Sequence, residues 1–170
     1  MARTAPKWRP YSGDLVMYMA LHFVLALIWI GSAVMLDLRF RNNFASASVE
    51  DRLTLMRGIR SFSGKTEMPI TILLLVLGAI LLMKNMAWMK VGAMHGKLTL
   101  ALVAIGLLHA SRGVMRKMIT ALESGENADD LAKKYSRMRM SVLGMLFLIS
   151  GMILGVKAKM GMPNTFQVLF

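Results

Sequence analysis

Four long apolar runs divide the chain. They cover roughly residues 15–36, 68–88, 91–114 and 138–156, and each is close to the ~20 residues that an α-helix needs to cross a bilayer. The first run is too long for a cleavable signal peptide, so we expect it to remain as an anchor. The pattern predicts an all-α protein, a four-helix transmembrane bundle in which residues 1–170 form a single integral membrane domain.

The segment between the first two runs is longer than a bare connection requires. Ser48 precedes two acidic residues and then apolar residues at helical spacing, which predicts a short helix on the cytoplasmic face of the membrane. In that interpretation Arg52, Arg57 and Arg60 face lipid headgroups. The alternative is a solvated basic connector.

Two more helix starts are visible in the sequence. Pro69 directly follows Met68 at the beginning of the second run, a position where its missing N–H is not needed. Asn127 or Asp129 is expected to start the last helix, well before its apolar run.

Composition and charge support a membrane protein and set its expected orientation. The chain is 56% hydrophobic with a mean hydropathy of +0.54, and 21 Lys and Arg against 9 acidic residues give it a net charge of +12. Thirteen basic residues lie in the first and third connections and seven in the termini and second connection. This predicts that both termini face outward from the cell (inner) membrane, with anionic lipids rather than nucleic acid as partners.

The sequence contains no cysteine. This excludes disulfides, iron–sulfur clusters, thiolate ligation of haem and covalent haem attachment within the chain. Metal chemistry would therefore depend on histidine and methionine.

The third run carries His95, Lys97 and His109, and ionisable groups inside a spanning helix usually mark function. The two histidines are 14 residues apart, so they point to nearly the same face about 21 Å apart along the helix. Lys97 points to another face. The alternative is two interfacial histidines and a lysine that reaches the membrane surface.

The first run places His22 on one helical face with Ala26, Trp29 and Ala33. A histidine on a face kept small by alanine leaves room for a flat cofactor, although a histidine bonded to a neighbouring helix would give the same pattern. With both termini outside, His22 and His95 lie at similar depths. They are the predicted metal ligands, flanking one haem b, and His109 is too far away to share its iron.

Arg112 and Arg116 follow His109 on the same side of the third helix. Cationic groups beside an inward histidine would suit the carboxylates of a porphyrin or another anion. The alternative is the ordinary basic flank of a membrane helix.

Methionine offers a different chemistry. Of the 18 methionines, eight fall near the predicted outer face: Met17, Met19, Met83, Met86, Met89, Met94, Met160 and Met162. Thioethers favour Cu(I), which makes copper the alternative to haem, but methionine also fills apolar cores easily.

Two stretches carry a family resemblance. Ala20–His22 followed by Trp29–Gly31 resembles the first helix of the HemJ-type protoporphyrinogen IX oxidases. His95–Leu98, followed by Leu108–His109 on the same helix, is similar to the third helix of that family. The resemblance covers about residues 15 to 115.

The resemblance implies a small four-helix membrane oxidoreductase that binds haem b and oxidises protoporphyrinogen IX to protoporphyrin IX in haem synthesis. It implies that His22 binds the haem and that Lys97 is an essential residue, with His95 and His109 as its neighbours. Arg39 corresponds to an arginine that follows the family's first helix, and Lys97 and Arg39 are the catalytic residues that the resemblance predicts.

Two alternatives remain open. The first helix also looks like the CopD copper-resistance family, which would make the protein a copper-binding or copper-transport protein. Alternatively, the chain is a non-catalytic subunit of a larger membrane complex, packed through its last helix, where Gly151 and Gly155 allow close approach. The chain is also expected to form a homo-oligomer, if it does not join a larger membrane complex.

Overall fold

The computed structural model of the protein describes residues 12–90 and 92–159, with the side chains of all of these except residues 87 and 153–159. This part of the chain is helical and contains no strand, which confirms the all-α class. It forms α1 (Gly13–Phe44), α2 (Val49–Phe62), α3 (Met68–Lys84), α4 (Gly92–Glu123) and α5 (Asp129–Lys159). A π turn, Ser63–Glu67, joins α2 to α3, and a 3-10 turn, Met86–Lys90, precedes α4.

Three helical stretches are long and apolar enough to cross a membrane: Gly13–Phe44, Val49–Lys84 and Gly92–Glu123. They include most of each of the first three predicted runs, and the fourth run falls on α5. Both α1 and α4 have 32 residues. Each is therefore about 48 Å long, well beyond the ~30 Å of a bilayer's hydrocarbon core. The first and fourth apolar runs lie within longer helices, and the third forms the N-terminal part of α4.

The predicted helix starts agree with the structure. Met68 and Pro69 open α3, with the proline in the first turn. The amide of Asp129 donates a hydrogen bond of 2.8 Å to Oδ1 of Asn127 at the start of α5. Ser48 starts α2, and its Oγ accepts a hydrogen bond of 3.2 Å from the Asp51 amide.

The connection between the first two apolar runs is almost entirely helical. α1 continues to Phe44, and α2 passes through the π turn into α3 without a break. Two apolar side chains of α2, Met56 and Ile59, are buried in the same core as parts of α1 and α4. The predicted short helix is therefore confirmed as α2, which also packs into the bundle and continues into the second apolar helix, while its place on the cytoplasmic face remains a prediction.

Two arginines of α2 that were expected to face lipid headgroups form ion pairs in the bundle. Arg52 Nη1 lies 3.2 Å from Asp129 Oδ1, and Arg57 Nη2 lies 2.7 Å from Glu123 Oε1. They connect α2 to the ends of α4 and α5. Arg60 forms no ion pair with the described residues.

Two packed cores lie one after the other along the helices. The first includes Leu36, Phe40, Met56, Met115, Met118 and Tyr135. The second includes Trp29, Ala33, Leu74, Ala104, Leu108 and Val142. We call the end of the bundle that holds the first core the charged half, because ion pairs of the described residues flank that core. We call the end that holds the second core the apolar half, because the exposed helix faces around it are apolar.

The long helices pack in the order α3, α1, α5, α4, and this series does not close into a ring. α3 packs against α1, α1 against α5, and α5 most extensively against α4, while α2 contacts α4 in the charged half. Within the described residues α3 and α4 hardly touch each other. The apolar half is therefore open between α3 and α4.

A buried ion pair lies where the two halves meet. Arg139 of α5 and Glu67 of the π turn are 1% and 0% exposed. Arg139 Nη1 donates to Glu67 Oε2 at 3.1 Å, Nη2 donates to Glu67 Oε1 at 2.8 Å, and Nη2 also donates to the Ala33 carbonyl at 3.1 Å. One guanidinium thus joins α1, α5 and the π turn. Arg139 is one of the thirteen basic residues assigned from the sequence to the first and third connections, and its burial was not predicted.

Two more polar side chains surround this pair, and we call Asp37, Glu67, Tyr135 and Arg139 the polar cluster. Asp37 is buried and forms an ion pair of 2.8 Å with Arg41 through one oxygen, while its other oxygen has no hydrogen-bond partner among the described residues. The Tyr135 hydroxyl also has none. Burial raises the pKa of Tyr135 from 10.0 to about 12.

The first prediction concerns the buried pair. Arg139→Met should lower the free energy of unfolding by about 3–5 kcal/mol, because it leaves the Glu67 carboxylate buried without its cation. The matched control Arg57→Met removes an ion pair that is largely exposed and should cost at most about 1 kcal/mol. Thermal unfolding in detergent, followed by circular dichroism, measures both. Equal losses in the two variants would contradict a structural role for the pair.

The second prediction concerns alkaline pH. Because the folded-state pKa of Tyr135 is above its unfolded value, folding favours the neutral phenol, and its contribution to stability is lost as pH rises from about 10 to about 12. The wild type should lose up to about 3 kcal/mol relative to Tyr135→Phe over this range. Unfolding midpoints of the two proteins at pH 8 and pH 11.5 provide the test. Parallel pH profiles would mean that the phenol ionises freely in the folded protein.

Candidate functional site

His22 occupies a contact between α1 and α3 in the apolar half. Its side chain is partly buried, and its Nδ1 is buried without a hydrogen-bond partner among the described residues. Gly78 of α3 lies opposite, and a Cβ atom at that position would be 3.6 Å from His22 Cε1. The imidazole therefore faces a position without a side chain.

The structure brings Lys97 of α4 to this site. Its ammonium charge acts electrostatically on His22, so residues of α1, α3 and α4 form one cluster that we call the histidine site: His22, Gly78 and Lys97. His95, the predicted second ligand, is exposed on α4. Its joint ligation of a metal with His22 remains a prediction.

Trp29 has a packing role. It is 5% exposed and belongs to the core of the apolar half together with Ala33. Its indole N–H has no hydrogen-bond partner among the described residues. Trp29 is seven residues after His22, or about 10 Å along the helix. Contact between Trp29 and a cofactor remains a prediction.

A second cluster lies in a cavity of about 290 Å³ lined by Arg60, Met68, His109, Arg112 and Arg116. We call it the basic groove. The sequence placed His109, Arg112 and Arg116 on one side of α4, and all three line this cavity. Arg60 was missed as a partner because its contribution depends on α2 packing against α4.

The π turn makes room for one wall of the basic groove. A Cβ atom at Gly64 would lie 3.3 Å from Arg112 Nη2, closer than an ordinary contact. Glycine at this position lets the guanidinium of Arg112 lie against the turn. In the sequence, the only indication of this close approach was the glycine between Ser63 and Lys65.

The arginines of the basic groove have no acidic partners within the described residues, in contrast to four other arginines of the bundle. Arg41, Arg52, Arg57 and Arg139 each contact a carboxylate. The three groove arginines have no such contact within the described residues, and the cavity lining contains no acidic side chain. The groove is thus a concentration of positive charge without internal compensation.

The two clusters and Arg39 are well separated. His109 comes twelve positions after Lys97 in α4, about 18 Å along the helix axis. Arg39 is exposed and comes 17 positions after His22 in α1, about 26 Å along the axis. The structure therefore does not bring the two predicted catalytic residues, Lys97 and Arg39, into one site.

The described residues contain no group of three or more His, Asp or Glu side chains arranged to hold a metal ion. Met17, Met83 and Met86 are exposed near the same end of the bundle as His22. The remaining outer methionines include Met160 and Met162, which lie outside the described residues.

Comparisons of the chain with family models, curated proteins and solved structures find no match.

The third prediction tests the space beside His22. Gly78→Leu should lower the free energy of unfolding by about 1–3 kcal/mol, because the new side chain overlaps the imidazole. Ala79→Leu, on the next and exposed position of α3, should change it by less than about 0.5 kcal/mol. Thermal unfolding in detergent compares them, and a loss confined to Ala79→Leu would contradict the assigned packing.

Proposed function

We propose that the protein is an integral membrane four-helix bundle of the cell (inner) membrane with both termini outside. The long apolar helices support this, and so do their exposed surfaces. Large apolar side chains on the surface of the apolar half include Leu21, Val24, Leu27, Leu73, Val76 and Leu102. Such a continuous apolar surface is suited to lipid tails. In this orientation the charged half and its unequal share of basic residues lie in the cytoplasm.

We propose further that this bundle binds haem b at the histidine site and acts as an oxidoreductase of the protoporphyrinogen IX oxidase type. The observation that carries the proposal is the buried Nδ1 of His22, which lies opposite Gly78 and has no hydrogen-bond partner in the part of the chain that the structure describes. A buried polar group without a hydrogen bond costs stability, so its presence needs a reason. Axial ligation of haem iron requires only one or two protein side chains, and imidazole is a common choice.

The residues of the histidine site have distinct roles in this proposal. His22 would hold the iron, and His95 is the proposed second ligand. Bound haem would supply one-electron transfer between the porphyrinogen and an acceptor. Lys97 would donate or accept protons as the substrate is oxidised, or compensate the charge of an anionic substrate.

The basic groove is not part of the proposed haem site. The separation of about 18 Å between Lys97 and His109 is longer than the reach of a haem propionate from an iron held by His22. We therefore leave Arg112 and Arg116 out of the histidine site, and also Arg39, which is exposed and more distant. The resemblance to the protoporphyrinogen IX oxidases supports His22 and Lys97 more directly than these arginines.

The fourth prediction is a haem spectrum that depends on His22. Protein purified in detergent should show a reduced-minus-oxidised spectrum of haem b. His22→Ala should lose the haem while still inserting in the membrane, because a single alanine does not make α1 less apolar. His95→Ala should shift the spectrum or weaken binding, and the control His109→Ala should keep the haem.

Other outcomes identify other functions. A colourless protein with stoichiometric copper would replace the proposal with a copper-binding protein that uses the exposed methionines near His22. A protein without bound metal, which co-purifies with other membrane subunits, would instead be a non-catalytic accessory subunit. With haem bound, the appearance of protoporphyrin fluorescence from protoporphyrinogen IX tests the substrate, and loss of this activity in Lys97→Met with haem retained tests the proposed role of Lys97.

A further inference from the structure

The basic groove concentrates cations that repel one another. Arg60, Arg112 and Arg116 line one cavity of about 290 Å³ with His109, and none has an acidic partner within the described residues. Elsewhere in the bundle, four arginines are compensated by carboxylates: Arg41, Arg52, Arg57 and Arg139. Like charges held close together are unfavourable unless an anion lies between them. The groove therefore has the electrostatic character of an anion site.

Apolar surface adjoins the groove on two sides. On α4, Leu102 precedes His109 by seven residues and thus lies on the same helical face, where it is 62% exposed. On α3, Ile72 and Leu75 follow Met68 by four and seven residues on one face, and both are exposed. Since α3 and α4 hardly touch within the described residues, these apolar stripes border the open side of the bundle.

We propose that the basic groove binds the phosphate of an anionic phospholipid, whose acyl chains lie along the exposed stripes of α3 and α4. The proposal rests on the membrane location given above but not on haem binding. Arginine is suited to this ligand, because its planar guanidinium can donate two hydrogen bonds to one phosphate group. The groove lies beside Met68, where the apolar half begins, which is the level expected for a headgroup in the cytoplasmic leaflet.

The π turn forms one wall of this phosphate site. Gly64 leaves the space in which the Arg112 guanidinium lies, and Glu67, three residues later, anchors the same turn to Arg139. The buried ion pair therefore holds the wall of the groove that Arg112 contacts. Gly64→Ala should displace Arg112 by a few tenths of an ångström and weaken phosphate binding without abolishing it.

The fifth prediction tests lipid binding directly. Protein purified in a zwitterionic detergent is titrated with phosphatidylglycerol or phosphatidylcholine, and bound lipid is counted by native mass spectrometry. The wild type should retain one phosphatidylglycerol in preference to phosphatidylcholine. Arg112→Gln/Arg116→Gln should weaken its binding at least about tenfold, as expected for the loss of charge-assisted hydrogen bonds.

The matched control removes two positive charges from the exposed surface of α5. Lys134→Gln/Arg137→Gln should bind phosphatidylglycerol like the wild type. Circular dichroism and the unfolding midpoint establish that both double variants are folded, and the single variant Arg60→Gln gives a second, milder test of the groove. Titration with inorganic phosphate distinguishes a lipid site from a site for free phosphate, which should compete only weakly.

Three results of the lipid and phosphate titrations would overturn the proposal. These are no preference for phosphatidylglycerol over phosphatidylcholine, an equal loss of binding in the α5 control, and stronger binding of inorganic phosphate than of lipid. An unchanged lipid affinity with a raised KM for protoporphyrinogen IX in the groove variant would also overturn it and would assign the groove to the substrate. The haem spectrum of the same samples is read independently, so failure of lipid binding and failure of haem binding are distinguished.

Discussion

The buried pair of Glu67 and Arg139 is the constraint on which the arrangement of the bundle depends. Taking both charges out of water is costly, and the cost is offset only when the geometry satisfies both groups. The two hydrogen bonds between them and the third from Arg139 to the Ala33 carbonyl meet this condition. They require α1, α5 and the π turn to meet at one level, which fixes the axial register of three segments that apolar packing alone would leave free to slide.

The level of the Glu67–Arg139 pair separates two kinds of helix packing. On one side, α2 and the ends of α1, α4 and α5 form a core of the kind found in water-soluble helical proteins, covered by exposed ion pairs. On the other side, the helices expose leucine, valine and phenylalanine. The π turn changes the helical phase between these regions, because its wider turn inserts an extra residue relative to the α-helical repeat. A single long helix can then bury one face in the charged half and another face in the apolar half.

The sequence predicted the features that depend only on residues close together in the chain. Apolar runs identified the helices, Ser48 and Asn127 marked two helix starts, and the spacing of His109, Arg112 and Arg116 placed them on one side of α4. What it did not reveal depends on contacts between distant segments. The burial of Arg139 needs Glu67, 72 positions away, and Arg60 joins the basic groove only because α2 packs on α4. Likewise, the helical periodicity of α4 cannot tell which of His95 and Lys97 lies nearer to His22, since that depends on how α1 and α4 are rotated against each other.

The open side between α3 and α4 has a thermodynamic consequence for any ligand that enters there. In a membrane this opening faces the hydrocarbon region, so an amphiphilic molecule would arrive by lateral diffusion within the bilayer after partitioning from water. Occupancy would then follow the mole fraction of the ligand in the membrane rather than its aqueous concentration. A dissociation constant expressed per volume of water would change with the amount of lipid present, whereas one expressed per lipid molecule would remain constant. Partitioning of the ligand and its recognition by the protein would be separate contributions to the apparent affinity.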